Sequence, residues 1–436
     1  MQTIVIVGGG AGGLELATRL GHQYGKNSHK KNKADQTTVV LIDKNRSHIW
    51  KPLLHEVATG VLDINTDGVV YRAHSSIHHY QFQQGTMVGI DHSAKTIRLE
   101  ALNDEEGKEV LPARDIGYDT LVMAVGSVSN DFGTPGVAKH CYYLDSHQQA
   151  ERFHRTLLNH FLRINQQSND SALQLAIVGG GATGVELAAE LFHVADLLKV
   201  YGMPQMSAKR LKISLIEAGP RLLPALPERI ASSVQRELKK LGVTILENTR
   251  VIAADENGFE TQDGNRIDAD LAVWAAGVKA PDFVKSMAVF ETNRTGQIIV
   301  KPTLQSTVDE HIYVLGDCCA CQQPDASWVP PRAQSAHQMA SMVGRNIVLQ
   351  AQHKPLQSYL YKDYGSLVNL SKYSTVGSLM GSLNQGSMFI EGRLARVVYV
   401  SLYRMHQIAI HGWLRASAVM LAQKIARSVK PKMKLH

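Results

Sequence analysis

A ten-residue segment occurs twice in this chain, and the duplication restricts the fold more than any other feature. Gly8-Gly9-Gly10-Ala11-Gly12-Gly13-Leu14-Glu15-Leu16-Ala17 returns as Gly179-Gly180-Gly181-Ala182-Thr183-Gly184-Val185-Glu186-Leu187-Ala188, offset by 171 positions. Each copy follows a short β-branched run (Ile4 to Val7; Ala176 to Val178) and opens a helical pattern. Each is followed by a second apolar run ending on an acid, Asp43 in the first and Glu217 in the second. One such glycine motif is weak, but two in strand–turn–helix context with the downstream acid predict two dinucleotide-binding folds. The physical requirement is specific. Gly8 and Gly179 make the tight turn, Gly10 and Gly181 admit a pyrophosphate, and Gly13 and Gly184 let helix pack on strand. The pyrophosphate then rests on a helix N-terminus, whose free N–H groups and dipole favour negative charge. Asp43 and Glu217 suit adenosine ribose hydroxyls, and a carboxylate at Glu217 repels a 2′-phosphate, which favours NAD(H) over NADP(H).

The length of 436 residues is too great for one core, and 44% apolar content with 35 glycines fits a globular α/β chain. No run of 18 uncharged apolar residues occurs, so a spanning helix is not expected. The N-terminus runs from Met1 straight into a strand pattern without a basic leader, which argues against export. Cys141, Cys318, Cys319 and Cys321 do not make a disulfide framework and point to a reducing cytosol. The Cys318/Cys321 pair has the spacing for a soft metal. Buried thiols at a tight strand end are the favoured reading, and no metal site is expected.

A second echo accompanies each copy. Asp119 to Gly126 and Asp270 to Gly277 both read as buried strands ending on small residues, Ala124 and Gly126 in one, Gly277 in the other. His311 to Asp317 is a further strand that delivers an acid, after Gly316, where ligands of parallel sheets bind.

These residues together resemble the two-dinucleotide-binding-domain flavoproteins over roughly the first 345 positions. Ala333-Gln334-Ser335-Ala336-His337-Gln338 is similar to the AQxAxQ signature of type II NADH dehydrogenases, the single-subunit NADH:quinone oxidoreductases. Ser47 to Gly60 and the basic C-terminus resemble the bacterial members. A lysine-bearing insertion from Gly25 to Thr37 departs from the pattern and is read as solvated. The resemblance implies that Gly8, Gly10, Gly13, Asp43 and Asp317 hold FAD, and that Gly179, Gly181, Gly184 and Glu217 hold NADH. Ala124, Gly126, Gly277 and Gly316 are further expected cofactor-binding positions. The implied fold is α/β, with two Rossmann-like domains, the second inserted in the first. The expected limits are 1–145 and 291–385 for the FAD domain, 146–290 for the NADH domain and 386–436 for a C-terminal membrane segment.

The chemistry expected is hydride transfer from NADH to flavin N5, with protein supplying placement and electrostatics. By resemblance Glu186 sits at the nicotinamide–flavin junction and steers the ring or relays a proton; an acid complementing the helix dipole is the competing reading. Gln334 and Gln338 share a helix face and offer neutral donors to quinone carbonyls, or are simply solvated glutamines. Lys372 is placed by resemblance near the reduced flavin, against the alternative of a solvent-edge lysine. Trp50 to Leu54 line the flavin or quinone cavity, or are ordinary core.

Charge is concentrated at the end. Gly392 to His436 carries nine Lys/Arg and no acid, leaving 37 basic against 39 acidic residues elsewhere. Leu414, Ala418, Leu421, Ala422 and Ile425 fall on one helical stripe, preceded by a similar stripe of Leu394, Val397, Val398, Leu402 and Met405. Such a helix lies in the headgroup plane of an anionic membrane, or docks on the body or a partner chain. The reading is a peripheral, non-pumping NADH:quinone oxidoreductase on the cytoplasmic face of the bacterial inner membrane. NADH and ubiquinone or menaquinone are its substrates, a homodimer is expected, and a nucleic-acid partner is not. The alternatives are a sulfide:quinone oxidoreductase, which needs cysteines flanking the flavin, and a flavin-dependent redox-sensing binding protein.

Overall fold

The computed structural model describes residues 2–25, 36–167, 171–371, 374–380, 387–429 and 433–434. Lys372 and most of the 25–37 insertion lie outside the described residues. The chain divides into two compact units. One comprises residues 1–50, 68–128 and 278–362, and the other 51–67, 129–277 and 363–436.

The first unit opens with β1 (Gln2–Val7), α1 (Ala11–Leu20) and β2 (Thr37–Asp43). The chain then contributes α2 (Leu54–Ala58) to the second unit before returning for β3 (Gln81–Gln84) and β4 (Thr120–Met123). In the second unit, α3 (His147–Gln166) begins with a capping box of Ser146 and Gln149. It leads into β5 (Leu173–Val178), α4 (Ala182–Leu198), β6 (Leu211–Ile216), β7 (Thr244–Leu246) and β8 (Leu271–Trp274). These strands form a parallel sheet in the order β7-β6-β5-β8.

After β8 the chain re-enters the first unit with β9 (Ile312–Val314), which pairs in parallel beside β4. The first sheet is therefore β9-β4-β1-β2-β3, all parallel, and the second fold is inserted in it. Ile4, Ile6, Leu41, Leu121, Val122 and Ile312 are fully buried in it, as expected of strands covered on both faces. Helix α5 (Ala333–Ala351) follows, shortly after Pro330-Pro331. A Cβ on Gly12 would meet Leu315 and the Ala336 carbonyl, so α1 and α5 approach through small residues.

The C-terminal part of the second unit is an antiparallel sheet of β10 (Gly365–Leu370), β11 (Ser374–Met380) and β12 (Ser387–Glu391). Two helices follow it, α6 (Gly392–His411) and α7 (Trp413–Val429), separated by Gly412 at φ 74°. Arg404 on α6 donates to Gln407 and reaches Gln423 on α7 at 3.0 Å, and Gln423 donates to Asp67. The chain end is fastened as well. The Lys434 N–H donates to the Gly60 carbonyl, its own carbonyl lies 3.1 Å from His154 Nε2, and its ammonium lies 3.6 Å from Asp63.

Candidate functional site: two nucleotide cradles

In the first unit the glycine motif does what its spacing predicts. Gly8, at φ 105°, donates its N–H to the Ile42 carbonyl at 2.8 Å, and a Cβ there would strike the Ala124 carbonyl. A Cβ on Gly13 would strike the Gly8 carbonyl. Gly10 differs: no atom lies within 4 Å of where its Cβ would stand. It is the N-cap residue of α1, whose first turn carries neither a side-chain cap nor an acid. Open space, uncapped N–H groups and the positive end of a helix dipole together fit a pyrophosphate.

Asp43 ends β2 beside this cradle. Its carboxylate accepts the Gly9 N–H at 2.6 Å and the Asn45 N–H at 2.7 Å. Burial raises its pKa, and those two backbone bonds work against the rise. The Tyr71 hydroxyl donates to the Gly9 carbonyl at 2.7 Å and closes the back of the turn. Tyr71 was not singled out from the sequence, because only the fold brings a residue 62 positions away onto this glycine. Ala124 donates its N–H to Val7, and Gly126 has φ 70°. Gly316, at φ 75°, would place a Cβ 3.6 Å from that of Ala336. Asp317 accepts a hydrogen bond from Ser127 Oγ at 2.7 Å, which draws the ends of β4 and β9 together. Gly8, Gly10, Gly13, Asp43 and Asp317, the residues expected to hold FAD, stand in one unit together with Ala124, Gly126 and Gly316.

The second unit repeats the arrangement. Gly179, at φ 115°, bonds the Ile216 carbonyl at 2.8 Å, and Gly184 packs on the Gly179 carbonyl. Gly181, N-cap of α4, again faces open space without a side-chain cap. Glu217 accepts the Gly180 N–H at 2.8 Å and the Gly219 N–H at 2.7 Å. The nearby cation Arg221 spends its guanidinium on the carbonyls of Leu223, Pro224 and Leu226. That arrangement suits a bare ribose hydroxyl better than a 2′-phosphate. Gly277 turns at φ 64° after β8, where Trp274 Nε1 donates to the Asn130 carbonyl at 2.9 Å.

Glu186 is buried on α4, beyond the first turn of the helix, where the dipole effect has largely faded. Oε1 accepts the Asn369 N–H at 2.9 Å, and Oε2 lies 3.7 Å from His55 Nδ1. Burial, reinforced by Glu56 and Glu190, pushes its carboxyl up to about 8, with the Asn369 bond opposing the rise. Burial also lowers His55 to about 4, so its ring is neutral at pH 7.

On α5 the two glutamines differ. Gln338 Nε2 donates to the Lys362 carbonyl at 2.8 Å while its Oε1 accepts the Lys362 N–H at 3.0 Å. Gln334, half-buried, lies one turn earlier. Between them His337 reaches the fully buried Glu15 at 2.6 Å. Glu186 stands in the second unit and the glutamines in the first.

Cys318, Cys319 and Cys321 are buried. Burial raises Cys318 to about 12 and Cys321 to about 11, and holds Cys319 well above the usual thiol range. All three are thiols at neutral pH, a poor state for a nucleophile.

Residues 2–340 match the model of the pyridine nucleotide-disulphide oxidoreductase family. A type II NADH:quinone oxidoreductase of Haemophilus influenzae is 45% identical over 100% of this chain and 100% of its own length. One of Staphylococcus aureus is 28% identical, covering 87% of this chain and 90% of its own. Among solved structures, NDH2 from Plasmodium falciparum in complex with NADH is similar with TM-score 0.79 at 19% identity, over 99% of this chain and 100% of that one. With a full-length relative at that identity and both nucleotide cradles in place, the chain belongs to the type II NADH:quinone oxidoreductases of the pyridine nucleotide-disulphide oxidoreductase family.

Proposed function

We infer that this chain oxidises NADH and reduces a membrane quinone, ubiquinone or menaquinone, with FAD as its resident cofactor. The observation that carries the reading is the pair of open glycine cradles, each with its ribose acid, in a chain matched end to end by an NADH:quinone oxidoreductase. Bound FAD supplies a ring that takes hydride at N5 and returns two electrons to quinone. The protein's own part is binding and orientation. Gly8, Gly10, Gly13, Asp43, Ala124, Gly126, Gly316 and Asp317 are the proposed FAD residues, in the domain proposed to comprise 1–145 and 291–385. Gly179, Gly181, Gly184, Glu217 and Gly277 are the proposed NADH residues, in 146–290. Glu186 is the proposed proton-holding group, Gln334 with Gln338 the proposed quinone face, and Lys372 a proposed partner of the reduced flavin.

Substrates of this kind dissolve in lipid, and no described helix is long and apolar enough to cross a membrane. The C-terminal helices offer an alternative. Leu414, Leu421 and Ile425 are 67%, 61% and 59% exposed, with Trp413 and Met405 also outward. Their stripe faces away from the body while Ala416 faces in. We propose that residues 386–436 lie on an anionic, cytoplasmic membrane surface as a homodimer, with Arg415 and Lys424 among the exposed cations. We also propose turnover without ion pumping, since carrying ions across needs a membrane-embedded path of ionisable groups.

The sulfide:quinone alternative is not favoured, since its cysteines would need to be reactive, whereas Cys318, Cys319 and Cys321 are buried and desolvation pushes the partly buried Cys141 up to about 12. The test is a visible spectrum of the purified protein before and after NADH, then after quinone. A flavin spectrum bleached by NADH and restored by quinone is expected. A colourless folded protein that takes up no FAD overturns the reading.

A further inference from the structure

An aromatic ring stands in solvent at the edge of the second cradle, on backbone that bulky residues rarely adopt. Phe132 has φ 53°, in the left-handed region that the neighbouring Gly133, at φ 70°, occupies without strain. Of the described phenylalanines it alone is exposed, at 65%, so burial of the ring does not offset the strain. Such outliers persist where the surroundings force them, and they gather at ligand sites. Here the surroundings do force it. The Asn130 side chain accepts the Phe132 N–H at 3.0 Å, and the Asp131 side chain accepts the Gly133 N–H at 3.0 Å. The turn is bolted to the end of β8, where Trp274 Nε1 donates to the Asn130 carbonyl at 2.9 Å and the Asn130 N–H donates to the Gly277 carbonyl at 3.4 Å. A Cβ on Gly277 would strike the Phe132 ring at 2.5 Å, so the ring lies directly over that glycine.

The order of the strands decides which part of a dinucleotide comes there. Strands β6, β5 and β8 are parallel neighbours, and ligands of such sheets bind beyond their carboxyl ends. At that edge Glu217 follows β6, Gly179 and Gly181 follow β5, and Gly277 follows β8. With adenosine ribose on Glu217 and the pyrophosphate on the N-terminus of α4, the remaining half of the molecule runs on in the same direction. Neighbouring strands are about 4.8 Å apart, so a nicotinamide riboside joined to a pyrophosphate over β5 reaches the end of β8.

We propose that Phe132 is a coenzyme-binding residue, whose exposed ring packs against the nicotinamide riboside half of NADH while Asn130 and Asp131 hold the ring in place. The proposal rests on the NADH-oxidising reading of the second cradle. A flat apolar ring suits that half, because reduced nicotinamide is itself flat and uncharged, and rings of this kind attract one another offset or edge-on. The adenosine half is left to Glu217 and the glycine turn, so the two halves of the coenzyme are held by separate groups.

The experiment is stopped-flow bleaching of the flavin-loaded full chain by NADH without oxygen, in the wild type and in Phe132→Gly. The variant removes the ring and keeps the left-handed turn. Its stability should change little, since the greater freedom of glycine in the unfolded chain offsets the relief of strain. The NADH concentration giving half the maximal bleaching rate should rise about five- to tenfold. ADP carries the adenosine and pyrophosphate but no nicotinamide riboside, and should inhibit both proteins at the same concentration. If the glycine variant does not fold, Phe132→Asn, which also tolerates this backbone region, decides in its place. An unchanged NADH requirement overturns the proposal. So does an equal loss of ADP inhibition, which would show that the turn merely shapes the cradle. Wild-type flavin that NADH never bleaches would instead overturn the NADH-oxidising reading itself.

Discussion

Gln338 holds Lys362 by both ends of one amide, donating to its carbonyl at 2.8 Å and accepting its N–H at 3.0 Å. The pair fastens α5 to the strand-free segment that follows it. Each such bond contributes about 1 kcal/mol net. Gln338→Ala should therefore lower the melting temperature by several degrees as well as raise the quinone KM, while Gln334→Ala should raise the quinone KM with little change in melting. Unchanged stability in the first would show that the amide's grip on Lys362 is incidental.

Gly10 and Gly13 belong to one motif yet should fail in different ways. A methyl at Gly10 enters open space, so Gly10→Ala should fold and melt normally but retain little flavin. Gly13→Ala drives a methyl into the Gly8 carbonyl and should fail to accumulate as folded protein. Flavin absorbance per folded chain, set against circular dichroism, distinguishes them. A flavin-replete Gly10→Ala would remove that cradle from the cofactor site.

Glu217 orders its own turn through Gly180 and Gly219 and is placed to take ribose hydroxyls. A hydrogen bond to a charged acceptor is worth about 1.5–3 kcal/mol. Glu217→Gln, which keeps an acceptor, should raise the NADH KM by about ten- to a hundredfold with flavin content unchanged. Glu217→Ala combined with a nearby basic substitution should shift preference toward NADPH. Unaltered coenzyme selectivity in that double variant would end the ribose assignment.

The Glu186 carboxyl has a folded pKa of about 8 against 4.5 in the unfolded chain. Below the lower value both states are protonated and the group has no effect on stability. Between the two, the folded state keeps a proton that the unfolded state has released, so stability falls as pH rises. Glu186→Gln should accordingly melt above the wild type at pH 8, with the advantage shrinking to nothing toward pH 4.5. A pH-independent difference would mean that the carboxyl titrates normally.

Leu414, Leu421 and Ile425 present an apolar stripe that the rest of the unit leaves uncovered. Burying each in lipid is worth roughly 1–2 kcal/mol, a little below full burial. Replacing all three with serine should weaken binding to vesicles containing anionic lipid by at least about a hundredfold, leaving NADH bleaching of the flavin intact. Undiminished vesicle binding would point to another surface.

The nucleotide cradles were legible because each is written within about ten neighbouring positions, where a strand, a turn and a helix need fixed residues. The shared helix face of Gln334 and Gln338 was legible for the same reason, since their spacing of four fixes it. What lay beyond reach was assembled over distance. Tyr71 meets Gly9 and Ser127 meets Asp317 only once separate stretches of the chain are brought together. Gln338 read as a free donor, because nothing in a linear pattern brings Lys362 to its amide. The segment 51–67 read as continuous with the first fold, yet its contacts place it in the second unit.

The fastening of Lys434 to Gly60, His154 and Asp63 alters how the whole C-terminal portion meets its surroundings. A stretch pinned beyond its last helix is not a floating rope whose end searches for a bilayer. It is a plate already set in shape, whose ordering cost was met when the chain folded, so adsorption should be all-or-none.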